Sequence, residues 1–145
     1  MAKQTGEELR LFVQLAPVGG NPAVYVEPAG QGNLTINRAS SPIDTSTKDT
    51  GIYGTSKPGA ASVSIAQDFI PDLPDVGYAR MKTLAGGRLV ETYQVRQAPY
   101  SDDADDIIFE CKMNTVFGNL GANRNTAVST SVTLTADDAP TVDKY

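Results

Sequence analysis

The sequence has no histidine, no tryptophan and a single cysteine among 145 residues. Without histidine, the commonest general base, Ser-His-Asp and Cys-His arrangements are ruled out and conventional hydrolase chemistry loses its main support. Cys111 has no second cysteine to bridge and no histidine with which to complete a common zinc set, so neither staple is available. No hydrophobic run approaches the about 20 residues that cross a bilayer. Met1 to Glu8 puts no apolar stretch behind Lys3, so the expectation is a cytoplasmic chain without membrane insertion. Basic residues are also few, twelve against seventeen acidic for a net charge of −5. They are scattered singly, which disfavours the phosphate neutralisation that tight nucleic-acid binding needs.

What the chain does have is enough apolar residue, 40% against 20% charged, to bury one core, and too little length for two ordinary domains. A single domain over 1–145 is expected. Strand patterns dominate it. Leu9, Leu11, Val13 and Leu15 alternate in the first segment, Val24 and Val26 in a second, Leu34 and Ile36 in a third. Val63, Ile65 and Phe69 share one face of 61–70, interrupted by Gln67. Leu89 to Gln97 is rich in β-formers, with Glu91 in phase with Tyr93, so that face reads as polar. Ile107, Phe109, Cys111, Met113 and Phe117 alternate with Glu110, Lys112 and Asn114, and Val128, Val132 and Leu134 close the series. Between them Pro71 and Pro74 set up one helix over 75–85, with Val76, Ala79, Met81 and Leu84 at helical spacing. Gly86-Gly87 is expected to stop it, and Gly77 to weaken it by about 1 kcal/mol relative to alanine. Residues 137–145 read as a flexible acidic tail.

Several features invite a chemical reading that the residues do not support. Cys111 lies in phase with Phe109 and Met113, the position of a packed thiol and not of an exposed electropositive nucleophile. Asp102, Asp103, Asp105 and Asp106 lack the glycine and distal glutamate of a calcium loop and read as a solvated turn. Gly30-Gln31-Gly32 is too short for a dinucleotide fingerprint. The six tyrosines are dispersed and fit core edges or interfaces better than a base-stacking platform. No cofactor, no metal and no enzymatic activity are expected. The stretch from Ser40 to Gly59 is long, polar and rich in turn residues, which in a compact domain signals either function or a flexible surface excursion.

The order strand, strand, long polar loop, strand, helix, strands resembles the major tail tube proteins of long-tailed phages and gene transfer agents. Ile43-Asp44-Thr45-Ser46-Thr47-Lys48-Asp49 resembles the family's approach to its long loop. Gly59 to Ala66 resembles the Ser-rich strand that follows, and Asn123 to Leu134 the closing strand. The loop departs from the family at Gly51-Ile52-Tyr53-Gly54, where a Gly/Trp-containing sequence is usual, and the helix departs by its internal glycine.

The resemblance implies a mainly β fold, an antiparallel β-sandwich or half-barrel with one flanking α-helix. It implies edge-to-edge hexameric rings stacked into a virion tail, assembled in the bacterial host cytoplasm. The loop over 40–59 would then contact the next ring through Ile43, Asp44, Thr45, Lys48, Asp49, Ile52, Tyr53 and Lys57. Gln67, Asp68, Glu91 and Gln94 are the polar strand positions assigned to a lumen or an interface. Implied partners are further copies of the chain, a tape-measure protein, a tail terminator and tail-tip proteins, with DNA crossing an acidic or neutral lumen unbound. Two other readings stay open: a type VI secretion-like tube ring, and a monomeric β-sandwich binding module.

Overall fold

A computed structural model describes residues 9–15, 24–48, 51, 54–59, 61–71, 74–122, 124 and 127–144. The strands are β1 (Leu9–Gln14), β2 (Tyr25–Val26), β3 (Gln31–Ser40), β4 (Ile43–Asp44), β5 (Ser56–Lys57), β6 (Ala61–Phe69), β7 (Val90–Gln97), β8 (Ile107–Gly121), β9 (Ser129–Ala136) and β10 (Val142–Asp143). One helix, α1 (Val76–Gly87), lies between β6 and β7. Seven strands form a curled antiparallel sheet in the order β2-β1-β7-β8-β9-β6-β3, and β10 pairs separately with β8. This is the half-barrel with a flanking helix that the resemblance implies.

Alternation builds the core. Leu11 and Val13 of β1, Tyr93 and Val95 of β7, Phe109, Cys111 and Met113 of β8, Val132 and Leu134 of β9 and Ile65 and Phe69 of β6 all turn to one face. There they meet Met81 and Leu84 of α1. The Cys111 thiol is packed in this core, and burial pushes its pKa up, against any nucleophilic role.

Asp75 caps α1 by accepting from the Tyr78 N–H at 2.8 Å and also takes the Ala29 N–H at 3.0 Å. Gly86 and Gly87 do not stop the helix as expected. It runs through them and ends at Arg88, whose φ of 53° lets its N–H reach the Ala85 and Leu84 carbonyls.

The two sides of the curl approach each other at β1 and β3. The Gln31 carboxamide accepts the Leu11 N–H at 2.9 Å and donates to the Leu11 carbonyl at 2.8 Å, so a side chain supplies bonds a neighbouring strand would make. Across the other end, Arg38 of β3 forms an ion pair with Asp143 of β10 at 2.6 Å. The expectation of a free tail over 137–145 is corrected for 137–144. Val142 and Asp143 pair with Glu110 and Phe109, and the Asp137, Thr141 and Lys144 N–H groups bond β8 carbonyls. The first half of β8 has an open side next to β9, and the returning chain fills it.

Candidate assembly surfaces

The expected loop contains structure of its own. β4 and β5 form a two-stranded sheet separate from the large one, pairing Ile43 with Lys57 and Asp44 with Ser56. Thr45 donates its N–H to Thr55 at 3.0 Å, the two threonine hydroxyls meet at 3.0 Å, and the Ser46 hydroxyl accepts the Thr55 N–H at 2.7 Å. The backbone and side-chain hydrogen bonds from Ser46 hold the Asp44 carboxyl below its ordinary range.

This arm exposes Ile43 to 58%, and Asp44, Lys48 and Lys57 are exposed as well. A hairpin this small, lying apart from the core, is marginal alone in water. Its base is tight: a side chain at Gly59 would meet the Ser41 carbonyl, so the strands entering and leaving the arm are already in contact. Asp49, Ile52 and Tyr53 of the assigned loop set lie outside the described residues.

The four polar strand positions separate. Asp68 is exposed, but Gln67, Glu91 and Gln94 are buried inside the chain and so offer nothing to a lumen. Glu91 pairs with Arg80 of α1 at 3.0 Å and also accepts the Thr92 N–H at 2.9 Å, while Arg80 donates to the Gln14 carbonyl. Gln67 donates to the Gly32 and Asp68 carbonyls, and its own carbonyl oxygen has no partner.

Gln94 belongs to a layer that seals one half of the sheet's second face. It accepts two hydrogen bonds from Arg96, at 2.9 and 2.7 Å, and donates to Glu110 at 2.9 Å. The buried Arg96 guanidinium stacks 4.6 Å from the Phe12 ring and 5.3 Å from Tyr25, and pairs with Asp102 at 2.9 Å. Asp106 instead accepts from the Ser101 backbone and hydroxyl. The acidic turn is thus built into the fold through separate partners.

Two surfaces escaped the sequence reading. One is an apolar groove of about 520 Å³ between α1 and the far ends of β8 and β9, lined by Tyr78, Ala79, Phe117, Leu120 and Val128, with Lys82 placing its ammonium 4.5 Å from the Phe117 ring. The only hint was Leu120 and Val128 flanking a polar turn. The other is the half of the second face that no Arg96 layer covers, across β8, β9, β6 and β3. Two ladders cross it without a break: Val116, Thr133, Ala66 and Thr35 in one, Asn114, Thr135, Ser64 and Asn37 in the other. At the outer margin β3 ends the sheet with a ten-residue strand.

This architecture has close counterparts among solved structures. One, from the tail of an empty GTA particle computed with helical refinement and C6 symmetry, superposes with a TM-score of 0.75 at 14% identity over 97% of this chain and 98% of its own. The fold is the tail-tube fold. A chain from the virion of a native gene transfer agent particle gives a TM-score of 0.73 at 15% identity, covering 95% of this chain and 97% of its own. The SPP1 tail tube, determined by solid-state NMR and cryo EM, gives 0.64 at 14% identity over 97% and 81% of the two chains. No protein-family model and no curated protein matches the sequence. At this identity the tail-tube fold is preserved through its alternation and topology and not through shared residues.

Proposed function

We propose that the chain is a structural subunit of a phage-type tail tube, polymerising through its own copies into stacked rings around a lumen that DNA crosses. The observation that carries this reading is the tail-tube fold over nearly the whole chain, joined to an arm that projects from it with exposed Ile43. The sheet margin at β3 supports lateral contact, because a long terminal strand is a template for pairing and ring closure covers it. The arm supports axial contact, because a hairpin without a core gains order by docking on another subunit. A tape-measure protein, terminator and tail-tip proteins are the further partners this role requires, and the virion tail, assembled in the host cytoplasm, is its location. The role is passive and needs no catalytic group.

Deleting Thr45 to Lys57 tests the axial part. The chain ends left behind already touch at Ser41 and Gly59, so the shortened protein is expected to fold with an unchanged thermal transition. It should make no tubes by electron microscopy under conditions where the intact chain, with its tail-tip nucleus, makes long ones. Long tubes from the deletion would remove the arm from the assembly.

A further inference from the structure

We propose that the groove between α1 and the ends of β8 and β9 is the socket for the β4–β5 arm of the next copy along the tube, with Ile43 seated on its aromatic floor and Asp44 against Lys82. This rests on the tube reading above and names the acceptor for the arm. The strand register sets the two features at opposite ends of the sheet. The arm leaves β3 and re-enters β6 at the end where Ser40 pairs with Ala61. At the other end of the same strands Gln31 pairs with Phe69, Phe69 with Thr130 and Thr130 with Leu120, and the last two line the groove. From Ala61 to Phe69 the strand runs roughly 26 Å, at about 3.3 Å per residue. β4 and β5 pair with each other and are exposed, so the arm does not fill the groove of its own subunit. A second copy translated along the strands brings its groove end to the first copy's arm end. Such a head-to-tail contact uses two different patches and leaves one arm and one groove free at the ends, so it repeats without closing.

The chemistry of the two ends is complementary. Tyr78 meets Phe69 edge to face at 6.1 Å and Phe117 at 5.7 Å, so the floor of the groove is set by packing before anything binds. Leu120 and Val128 stand beside it 62% and 43% exposed, and Ile43 on the arm is 58% exposed. Burying these groups against one another removes apolar surface that each free subunit leaves in water. Charge fixes the orientation. Lys82 holds its ammonium over the Phe117 ring, and Asp44, next to Ile43 in the chain, is kept ionised by the hydrogen bonds from Ser46. Among the described residues no carboxylate pairs with Lys82 and no cation pairs with Asp44. A small-molecule site would converge several polar groups on its ligand, whereas this lining is dominated by Tyr78, Phe117, Leu120 and Val128.

The test places Ile43→Cys and Leu120→Cys in one chain and oxidises tubes grown on the tail-tip nucleus. Both positions are exposed, and Cys111 is buried and does not compete. A non-reducing gel should show a ladder of linked chains running past the subunit number of one ring, absent from dissociated subunits and from either single variant. Tubes without cross-links overturn the socket while leaving the tube intact. A ladder that stops at one ring places the arm on a lateral neighbour and overturns it as well. Failure of the intact chain to form tubes with its nucleus overturns the tube reading and this one together. A second measurement exchanges the charges. Asp44→Lys and Lys82→Glu should each slow tube elongation at least about ten-fold, and the two in one chain should restore it to within about three-fold of the unmodified rate. A double variant as slow as either single one rejects the contact between the two side chains.

Discussion

Glu91 is 3% exposed within a strand whose neighbours Tyr93 and Val95 are core residues, so its carboxylate must find partners inside the protein. Arg80 reaches down from α1 to supply one, and the Thr92 N–H supplies another. Glu91→Ala removes the carboxylate that faces a guanidinium with little access to water. The expected loss is about 3 kcal/mol, read as a lower urea midpoint at constant slope. Arg80→Met combined with Glu91→Leu should recover much of it, since an apolar pair of similar volume often replaces a buried ion pair without loss. A double variant as weak as the two single losses added together would contradict this account.

Tyr25 makes a pH-dependent contribution. Its hydroxyl donates to Glu110 at 3.3 Å, and burial, then the Glu110 charge, push its pKa up to about 12 from 10.0. The folded chain therefore keeps the phenolic proton after the unfolded chain has released it. The stabilisation is complete below pH 10 and is lost as the pH rises towards 12. Denaturation midpoints should fall across that window, and Tyr25→Phe should flatten the fall. Identical alkaline profiles for the two proteins would exclude Tyr25 as the cause.

At the scale of the element, Gly77 sits inside α1, where alanine would ordinarily add about 1 kcal/mol of helix stability. The packing reverses that expectation. A Cβ at Gly77 would lie 2.7 Å from the backbone of Pro28, and backbone cannot step aside as a flexible side chain could. Gly77→Ala is therefore expected to lower the melting temperature, whereas the exposed Gly86→Ala, which meets open space, should raise it slightly. A stabilised Gly77→Ala protein would show that α1 does not press on this turn.

The same contrast marks how far the elements were legible. Alternation gave β1, β6, β8 and β9 their facing because one side of each is core, whereas the Glu91–Tyr93–Val95 side of β7, which reads as polar, is core as well. The start of β3 was missed because Gly32 and Asn33 are poor strand formers, lying where the pairing with β6 slips between Gln31 and Leu34. The arm and β10 were missed because two-residue ladders leave no periodicity. Gln67, Glu91 and Gln94 were read as surface because a polar residue in a strand is exposed by default. Of their partners, the Gly32 carbonyl and Arg80 come from other elements that spacing cannot bring together, whereas Arg96 lies two residues from Gln94 on the same strand face. The stretch read as a polar loop holds the β4–β5 hairpin, and the assembly role proposed for it rests on shape and exposure more than on any residue pattern.

For the whole molecule, the proposed function leaves a thermodynamic trace. The free subunit presents a terminal strand, an arm without a core and an apolar groove with Leu120 62% exposed, so part of what would stabilise it is left to other copies. Assembly binds the folded chain and not the unfolded one, and it raises stability by mass action. At a subunit concentration one hundred times the dissociation constant the gain is about 2.7 kcal/mol. For a chain of this length that corresponds to roughly 5–10 °C in melting temperature. Calorimetry should therefore show tubes unfolding above dissociated subunits, with the gap widening as concentration rises. The arm deletion should follow the subunit curve at every concentration, because it keeps the sheet and loses the axial contact. Tubes and subunits that melt together, independent of concentration, would mean that the β3 margin and the arm gain nothing from neighbouring copies, and the polymer would need another source of cohesion.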